Sequence, residues 1–388
     1  MGRIPQVTSG QTSTDGRTSL STTHPRMVHV CQPTDGGAAI SAAQLARVAV
    51  DHGFDVTVIS PNCRDLPTLA AAAGAHWMGL KMRRVPAPSD LRAIVTIRRQ
   101  ARISDVLHLH SSKAGALGRI AVATLPTSRR PRVVFTPHGW GWYIGGSLAP
   151  IYRAFERIAA RWTDVIVAVS NREATDGAEV LKDRATRIRV IWNGVHIEEY
   201  QPSEMERPDR PGALVTVIGR LHDQKGQDLA VRALACIEDK RVRMRLVGEG
   251  PTRDAIHILI RRLGLSGRVE MVGKEDSRKH LQEADIVLVP SRWEGMSLLL
   301  LEAMASGCAI VATESAGREV LGGAGVVVSG DDLVAAIAAA VTSLVRDPER
   351  CSALRMAARA RAVNLYSFDR VAREYLLAWG AISSSRSW

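Results

Sequence analysis

The sequence lacks any run of about 18 consecutive apolar residues, the shortest stretch typical of a membrane-spanning helix. Cysteine is scarce, and no pair of cysteines has metal-ligand or redox spacing. Such a set is typical of free thiols in a reducing compartment. We therefore predict a cytoplasmic protein without a transmembrane segment. The five cysteines are Cys31, Cys63, Cys236, Cys308 and Cys351.

Metal-binding patterns are also missing. No Asp-x-Asp motif stands at the end of a predicted strand, and no group of His, Cys and acidic residues has ligand spacing. The sequence therefore predicts neither a metal nor another cofactor. Residues 1–25 are rich in Ser, Thr and Gly and lack the apolar segment of a secretory signal. We expect them to form a disordered N-terminal extension.

What the sequence has in excess is positive charge. The formal net charge of +12 and the pI near 10.0 favour an anionic partner. A phosphorylated substrate and an anionic membrane surface both fit this charge. Nucleic acid fits less well, because the sequence has no recognisable nucleic-acid module and no aromatic stacking platform.

Short β-branched runs alternate with helical segments along the chain, a pattern that predicts α/β domains with parallel sheets. With 46% hydrophobic and 23% charged residues the chain is globular, and 388 residues suffice for two domains. Ten runs are predicted to be strands: 26–30, 55–59, 105–110, 132–138, 164–170, 213–220, 243–250, 268–274, 285–291 and 309–315.

The same pattern divides the chain into two Rossmann-like domains. The first covers 26–197 and the second covers 213–365, with a polar linker that contains three prolines between them at 198–212. A helix within 366–388 is predicted to return toward the first domain. We expect the domains to face each other across a cleft, with ligands at the carboxyl ends of the strands.

Gly36 and Gly37 follow the first predicted strand and precede a helix. Glycines at that point permit a tight turn and a close approach of the backbone to a ligand, and helix N–H groups favour anionic oxygens. The pattern is neither G-x-G-x-x-G nor a P-loop. An ordinary strand-to-helix turn therefore fits it equally well.

The loop that begins at Gly219 carries two cations, Arg220 and Lys225, and leads through Gly226 into a helix. Two cations beside a helix N-terminus suit a diphosphate. They can also stabilise the charge on a departing phosphate without a metal. The alternative is that both side chains are solvated loop cations.

Segment 290–307 carries two glutamates, Glu294 in a loop and Glu302 in the helix that we predict to begin near Ser297. Leu298 and the three leucines after it make this helix apolar all round and hence buried. A buried carboxylate needs a partner, so Glu302 must be paired, and a sugar hydroxyl is one available partner. Two structural carboxylates are the alternative. Three backbone N–H groups at the start of the helix are predicted to form an anion site: those of Met296, Ser297 and Leu298.

Three histidines lie at or near strand ends. His108 and His110 alternate on one strand and share a face, and a strand histidine is more often structural than catalytic. His110 is nearer the carboxyl end and is the better candidate for lining the cleft. His138 ends a strand before Gly139, where active-site residues lie in this fold.

Two further segments suggest binding surfaces. Residues 139–150 combine glycines with Trp140 and Trp142, and we interpret them as a lid whose tryptophans contact sugar or lipid, with a core role for one tryptophan as the alternative. Residues 90–103 form a basic amphipathic stretch that suits anionic lipid headgroups. A solvated helix face is the alternative for this second segment.

In this order the motifs resemble those of the retaining family 4 glycosyltransferases (glycosyl transferases group 1), which have the GT-B fold. The resemblance rests on GRLHDQKGQDLA (219–230) and EGMSLLLLEAMASG (294–307) and extends through FTPHGW (135–140) and IWNGVHIEEY (191–200). It covers about residues 26–380. It implies two Rossmann-like domains, a nucleotide diphosphate sugar as donor and transfer with retention.

The resemblance also implies roles for single residues. Arg220 and Lys225 would contact the donor diphosphate, and Arg220 would also stabilise the leaving group. Glu294 would bind hydroxyls of the donor sugar, Glu302 would bind the ribose, and His138 would stand near the reacting carbon.

The remaining predicted donor contacts come from backbone. Gly37 would bring the first domain against the diphosphate, while Gly250 and the backbone around Lys274 would flank the nucleobase. Other residues predicted to contact the donor are Gly36, Gly219, Gly295, Met296, Ser297 and Leu298.

We therefore predict transfer of a hexose or N-acetylhexosamine from a UDP-sugar, favoured over a GDP-sugar, to a hydroxyl of a saccharide or lipid-linked acceptor in polysaccharide or glycoconjugate assembly. The acceptor side of the cleft is predicted to be lined by His110, Trp140 and Trp142. Glycosylation of a small natural product is the alternative within this class. Two other functions compete with it. One is a UDP-N-acetylglucosamine epimerase of the same fold, which needs additional acid–base groups. The other is a non-catalytic basic protein that binds membrane or nucleic acid.

Overall fold

The computed structural model describes residues 24–83, 85–143, 146–202 and 212–382. Most of the predicted N-terminal extension and most of the predicted linker lie outside these residues, as does the end of the predicted terminal segment. Within the described residues two parallel sheets carry the fold, so the predicted α/β class with two Rossmann-like sheets is confirmed.

The first sheet has seven strands, all paired in parallel. They are β1 (Arg26–Cys31), β2 (Asp55–Ser60), β3 (His76–Gly79), β4 (Val106–His110), β5 (Arg132–Thr136), β6 (Val165–Ala168) and β7 (Ile188–Val190). Their order in the sheet is β3-β2-β1-β4-β5-β6-β7. The connecting helices are α1 (Gly36–Asp51), α2 (Leu66–Ala72), α3 (Ser89–Ala101), α4 (Ser112–Ala123), α5 (Ala149–Ala159) and α6 (Asn171–Leu181).

The second sheet has six parallel strands. They are β8 (Leu214–Ile218), β9 (Arg243–Val247), β10 (Val269–Val272), β11 (Ile286–Val289), β12 (Ala309–Thr313) and β13 (Val326–Val328), in the order β10-β9-β8-β11-β12-β13. Its helices are α7 (Gln227–Cys236), α8 (Arg253–Arg262), α9 (Ser277–Glu283), α10 (Leu298–Ala305), α11 (Glu314–Leu321) and α12 (Leu333–Arg346). Two more follow, α13 (Pro348–Tyr366) and α14 (Phe368–Trp379).

All ten predicted strands are present. The structure adds three that the sequence did not predict: β3, β7 and β13. Each lies at an edge of its sheet, spans three or four residues and keeps at most one residue fully buried. Short edge strands carry too little hydrophobic periodicity to be recognised in a sequence.

The end of the chain crosses from the second sheet to the first. Helix α13 packs with the second sheet through Tyr366, whereas α14 packs under the first sheet through Tyr375 and Trp379. At the crossing point the Val195 N–H donates to the Tyr366 carbonyl at 2.9 Å and the Phe368 N–H donates to the Val195 carbonyl at 2.9 Å. The segment that returns to the first sheet is therefore hydrogen-bonded to the segment that leaves it.

Two expectations about the chain as a whole can be compared with the structure. All five cysteines are free thiols. Among the described residues, no helix combines the length and the apolar character needed to cross a bilayer.

Candidate active site

The carboxyl ends of the two sheets face each other across a crevice. A Cβ atom built on Gly37, in the first turn of α1, would lie 3.7 Å from the Leu298 side chain at the start of α10. A Cβ on Gly295 would lie 3.9 Å from Val169, which follows β6. The loops after the strands of one sheet thus lie against those of the other, as ligand-binding loops do in this class of fold.

The two predicted cations lie on the second sheet's side of this crevice. Lys225 ends a 3-10 turn after β8, and its Nζ is 2.5 Å from Glu294 Oε1. The same carboxylate oxygen accepts a hydrogen bond from Ser291 Oγ at 2.8 Å. The Glu294 side chain is only 8% exposed and that of Lys225 is 27% exposed. A nearly buried carboxylate and a half-buried ammonium therefore hold each other in place.

The geometry of this turn depends on Gly226. Its φ of +67° is left-handed, and a Cβ would lie 2.1 Å from the Pro290 carbonyl oxygen. Only glycine permits that approach without displacing backbone. The close packing brings the turn that carries Lys225 against the loop after β11, which carries Glu294.

Arg220 reaches across the crevice to the first sheet. Its Nη1 is 3.7 Å from Asp35 Oδ2, and Arg64 Nε is 3.3 Å from the same oxygen. The Arg220 side chain is 44% exposed, so the guanidinium remains open to an anionic ligand. Asp35 was not among the predicted residues, although it stands directly before the predicted Gly36–Gly37 turn.

Glu302 has partners within the protein. Ser277 Oγ donates to its Oε2 at 3.0 Å, and the Tyr200 hydroxyl also hydrogen-bonds to it. Burial raises the pKa of the Glu302 carboxyl above its usual range, while these two hydrogen bonds oppose the shift. The prediction that this carboxylate must be paired is confirmed. The ribose contact stays a prediction.

The loop between the two glutamates is tied to the segment that leaves the first sheet. Asn193 Nδ2 donates to the Met296 carbonyl at 3.1 Å, and the Asn193 N–H approaches Met296 Sδ at 3.1 Å. Helix α10 then begins at Leu298 with Ser297 as its N-cap, next to the predicted start. Leu298, the first residue of α10, consequently lies opposite Gly37 of the first domain.

The backbone positions predicted to flank the donor have structural contacts of their own. A Cβ on Gly250 would lie 2.1 Å from the Leu221 carbonyl oxygen, so close packing already requires glycine there. The Lys225 methylenes lie about 3.8 Å from a Cβ built on Gly219. Lys274 Nζ is 3.0 Å from Asp65 Oδ2 on the first sheet's side. Their predicted contacts with a nucleotide stay predictions.

His138 occupies a strained position two residues after the end of β5. Its φ of +52° lies in the left-handed region, which non-glycine residues rarely adopt. Glu173 holds the turn, because its carboxylate accepts from the Gly139 N–H at 2.6 Å and the Val169 N–H at 2.7 Å. Burial raises the pKa of Glu173 to about 7 against these two bonds. Strain held in this way at a strand's carboxyl end is typical of functional sites.

A row of histidines runs inward from His138. His110 Nδ1 is 3.2 Å from His138 Nε2, and His29 Nδ1 is 3.0 Å from His110 Nε2. His29 Nε2 ends the row at 3.1 Å from Met27 Sδ. Burial lowers the pKa of His29 to about 3 and that of His138 to about 4. Burial also holds the pKa of His108 and of His110 well below the usual range, so the cluster is uncharged near neutral pH.

The structure corrects the prediction that His110 lines the acceptor side. His110 is fully buried behind His138, where it contacts the other histidines. Trp140 and Trp142 are also buried, with ring centroids 4.5 Å apart, and Trp140 Nε1 donates to the Glu173 carbonyl at 2.8 Å. Neither tryptophan presents its ring to a ligand here. The core role that was the alternative therefore holds for both.

Ligand atoms of His29, His108 and His110 lie within 4.8 Å of one another, a group that sequence spacing did not reveal. We tested whether these rings fit a metal. Every ring nitrogen of the three already has a hydrogen-bond or sulfur partner. For His108 these are Thr136 Oγ1 at 2.9 Å and Trp379 Nε1 at 3.3 Å. We therefore assign no metal to this cluster.

Both halves of the chain match known families. Residues 35–199 match the family described as Glycosyltransferase Family 4, and residues 212–347 match the one described as Glycosyl transferases group 1. The chain is 26% identical over 325 residues to the UDP-Gal:alpha-D-GlcNAc-diphosphoundecaprenol alpha-1,3-galactosyltransferase of Escherichia coli, which covers 78% of this chain and 83% of the relative.

A second relative is more similar over a shorter span. The GDP-mannose-dependent alpha-(1-6)-phosphatidylinositol monomannoside mannosyltransferase of Mycolicibacterium smegmatis is 31% identical over 262 residues, covering 60% of this chain and 67% of the relative. Among solved structures, Anabaena Alr3699/HepE in complex with UDP and glucose has a TM-score of 0.78 at 21% identity, covering 92% of this chain and 100% of that chain. This likeness shows the GT-B fold. The chain belongs to the family 4, group 1 glycosyltransferases.

Proposed function

We propose that this glycosyltransferase transfers a hexose or N-acetylhexosamine from a UDP-sugar to a hydroxyl of a lipid-linked or saccharide acceptor. Transfer retains the anomeric configuration and needs no metal. The observation that carries the proposal is the placement of Arg220, across from Asp35 of the first domain, and of the Lys225–Glu294 pair in loops after the strands of the second sheet.

Charge supports the assignment of these residues to the donor. Arg220, Lys225 and the N-terminus of α10 all follow strands of the second sheet, and such groups stabilise the negative charge of a diphosphate. In the proposed step the bond between the anomeric carbon and the phosphate oxygen breaks. A bond to the acceptor oxygen forms on the same face, and the departing phosphate takes the acceptor's proton.

The donor sugar and nucleobase are proposed from relatives. The E. coli relative is named for UDP-galactose, the M. smegmatis relative for GDP-mannose, and the Anabaena structure contains UDP. Two of these three favour uridine. The E. coli relative is also named for a diphosphoundecaprenol-linked acceptor, which supports a lipid-linked saccharide here.

The surface of α3 supports work close to a lipid headgroup layer. Leu91 and Val95 are exposed on this helix, together with Arg92 and Arg99. Exposed apolar side chains among arginines favour an anionic bilayer surface. We accordingly propose docking of the first sheet's α3 side on anionic lipid.

A thermal-shift panel with UDP, GDP and ADP tests the donor, since a ligand that binds only the native state raises its melting temperature. We expect the largest shift with UDP. Incubation with UDP-sugar and a lipid-linked acceptor, in the presence and absence of EDTA, should give a product with the donor's anomeric configuration. Incubation of the donor without an acceptor distinguishes the proposed transferase from an epimerase, because an epimerase would convert the donor sugar without any acceptor. No thermal response to any nucleotide would contradict the proposal.

A further inference from the structure

We propose that His29 and His110 fix the tautomer of His138, so that His138 presents an unprotonated Nδ1 as a hydrogen-bond acceptor to a substrate hydroxyl. The part that names the substrate rests on the proposed function. The part that names the tautomer stands on the row of contacts alone. His29 and His110 act as positioning residues. His110 touches His138, His29 touches His110, and both are fully buried.

The inner end of the row sets its direction. Met27 Sδ is 3.1 Å from His29 Nε2, and a thioether sulfur has lone pairs but no proton. His29 Nε2 must therefore carry the N–H, because two facing lone pairs repel. A neutral imidazole has one N–H only, so His29 Nδ1 is an acceptor.

The same rule passes outward along the row. Since His29 Nδ1 accepts, His110 Nε2 must donate to it across 3.0 Å, which leaves His110 Nδ1 as an acceptor. His138 Nε2 then donates to His110 Nδ1 across 3.2 Å. His138 Nδ1 is left without a proton, and no other described group hydrogen-bonds to it.

Burial prevents an additional proton from reversing this order. The ring centroids of neighbouring histidines among His29, His108, His110 and His138 lie 4.0 to 5.5 Å apart, so a charge on one ring opposes a charge on the next. From α14 the row is covered by the uncharged side chains of Tyr375 and Trp379. The acid at this turn is Glu173, and its two oxygens are occupied by the backbone N–H groups of Gly139 and Val169.

The consequence is chemical. A neutral nitrogen with a free lone pair accepts a hydrogen bond from a hydroxyl, whereas an imidazolium would pair with phosphate. The first sheet's side of the crevice is thus assigned to a sugar or acceptor hydroxyl. The diphosphate is left to the cations of the second sheet.

The direct test is nitrogen-15 NMR on the full chain with labelled histidine, with His138 identified by its loss in His138→Asn. We expect His138 to be protonated at Nε2 and unprotonated at Nδ1 from pH 6 to 8. An Nδ1–H tautomer or an imidazolium at His138 would overturn the proposal. This readout needs no substrate, so it remains decisive even where the panel of nucleotides gives no thermal response.

Met27→Leu tests the origin of the order while nearly conserving core volume. Without the sulfur, His29 loses its acceptor, and we expect His138 to become a mixture of two tautomers. In assays with donor and acceptor substrate, kcat should fall about 2- to 12-fold, which corresponds to the loss of one net hydrogen bond. The KM for the donor should be unchanged. Met82→Leu, at a buried methionine of the same domain outside the row, should change neither. A single Nε2–H tautomer in Met27→Leu would contradict the assignment.

Discussion

The two sides of the crevice differ in the charge state of their ionisable side chains. In the first domain, four neighbouring histidine rings lie in and just beyond the strands of the sheet, and burial keeps all of them neutral. After the second sheet, the side chains of Arg220 and Lys225 stay 44% and 27% exposed, and each has a carboxylate partner.

Solvation explains the difference. An ionisable group that loses water without gaining an opposite charge shifts toward its neutral form, whereas a partly hydrated group beside a carboxylate keeps its charge. The first sheet therefore offers a neutral histidine cluster that ends in His138, with the other three rings buried behind it (the neutral wall). The second sheet offers the partly exposed cations Arg220 and Lys225 (the cationic wall). A nucleotide sugar, with a charged diphosphate and a neutral sugar, matches such a pair of surfaces.

The most direct test of this difference between the two sides is to remove a charge from the cationic wall. Lys225→Ala should lower kcat by on the order of 100- to 1000-fold, as expected when one group that stabilises a departing anion is removed. Steady-state kinetics measure the effect. Ser291 still donates to Glu294 in this variant, so the fold should remain intact by circular dichroism.

Arg232→Ala provides the matched control for charge, because Arg232 is an exposed cation on α7 that is not among the predicted donor contacts. Its turnover should equal that of the native chain. Turnover that survived the double change Arg220→Ala with Lys225→Ala would end the assignment of the cationic wall.

The neutral wall makes a second prediction, on stability against pH. The native pKa of His29 is about 3 and that of His138 is about 4, below the usual value of 6.5, so the unfolded chain binds more protons. Their contribution is complete above pH 6.5 and is lost as the pH falls, at up to about 1.4 kcal/mol per pH unit for each ring. Glu173 has the opposite sign, since its pKa is raised to about 7 and its contribution is lost as the pH rises.

The four histidines together affect stability more than the one glutamate. Urea unfolding should therefore show that the free energy of unfolding falls as the pH is lowered from 6.5 to 5. His110→Gln should make this decline shallower. His76→Gln, at an exposed histidine outside the cluster, should leave the slope unchanged. A native stability that is flat or rises on acidification would show that the first wall is not neutral.

The smallest expected effect concerns the contact between the walls. Asp35→Asn removes a carboxylate that competes with the donor for Arg220, at a distance of 3.7 Å. Exposed ion pairs contribute about 0.2–1 kcal/mol, so the KM for the donor should fall by at most about fivefold while kcat is unchanged. Asp51→Asn is the control, because Asp51 pairs with Arg47 at the far end of α1. A higher KM in Asp35→Asn would mean that Asp35 assists donor binding.

How much of the site could be predicted follows from how local each signal is. Lys225, Glu294 and Glu302 stand in short segments with turn glycines and helix periodicity, so their loops were located from sequence. Their partners were not, because Ser277 lies far from Glu302 in the chain and approaches it only through packing of the fold. The prediction that Trp140 contacts a ligand is wrong, because a glycine-rich segment with aromatics resembles a mobile loop until its burial is known.

The sequence by itself determined two α/β domains, a loop with two cations and a paired glutamate in a buried helix. These depend on periodicity and on turns within a few residues. Only the tertiary structure decided that His29 joins His110, because β1 lies beside β4 with His29 opposite His108. Strand order and register depend on how all the strands of a sheet pack together, and the sequence of one short segment does not contain that information.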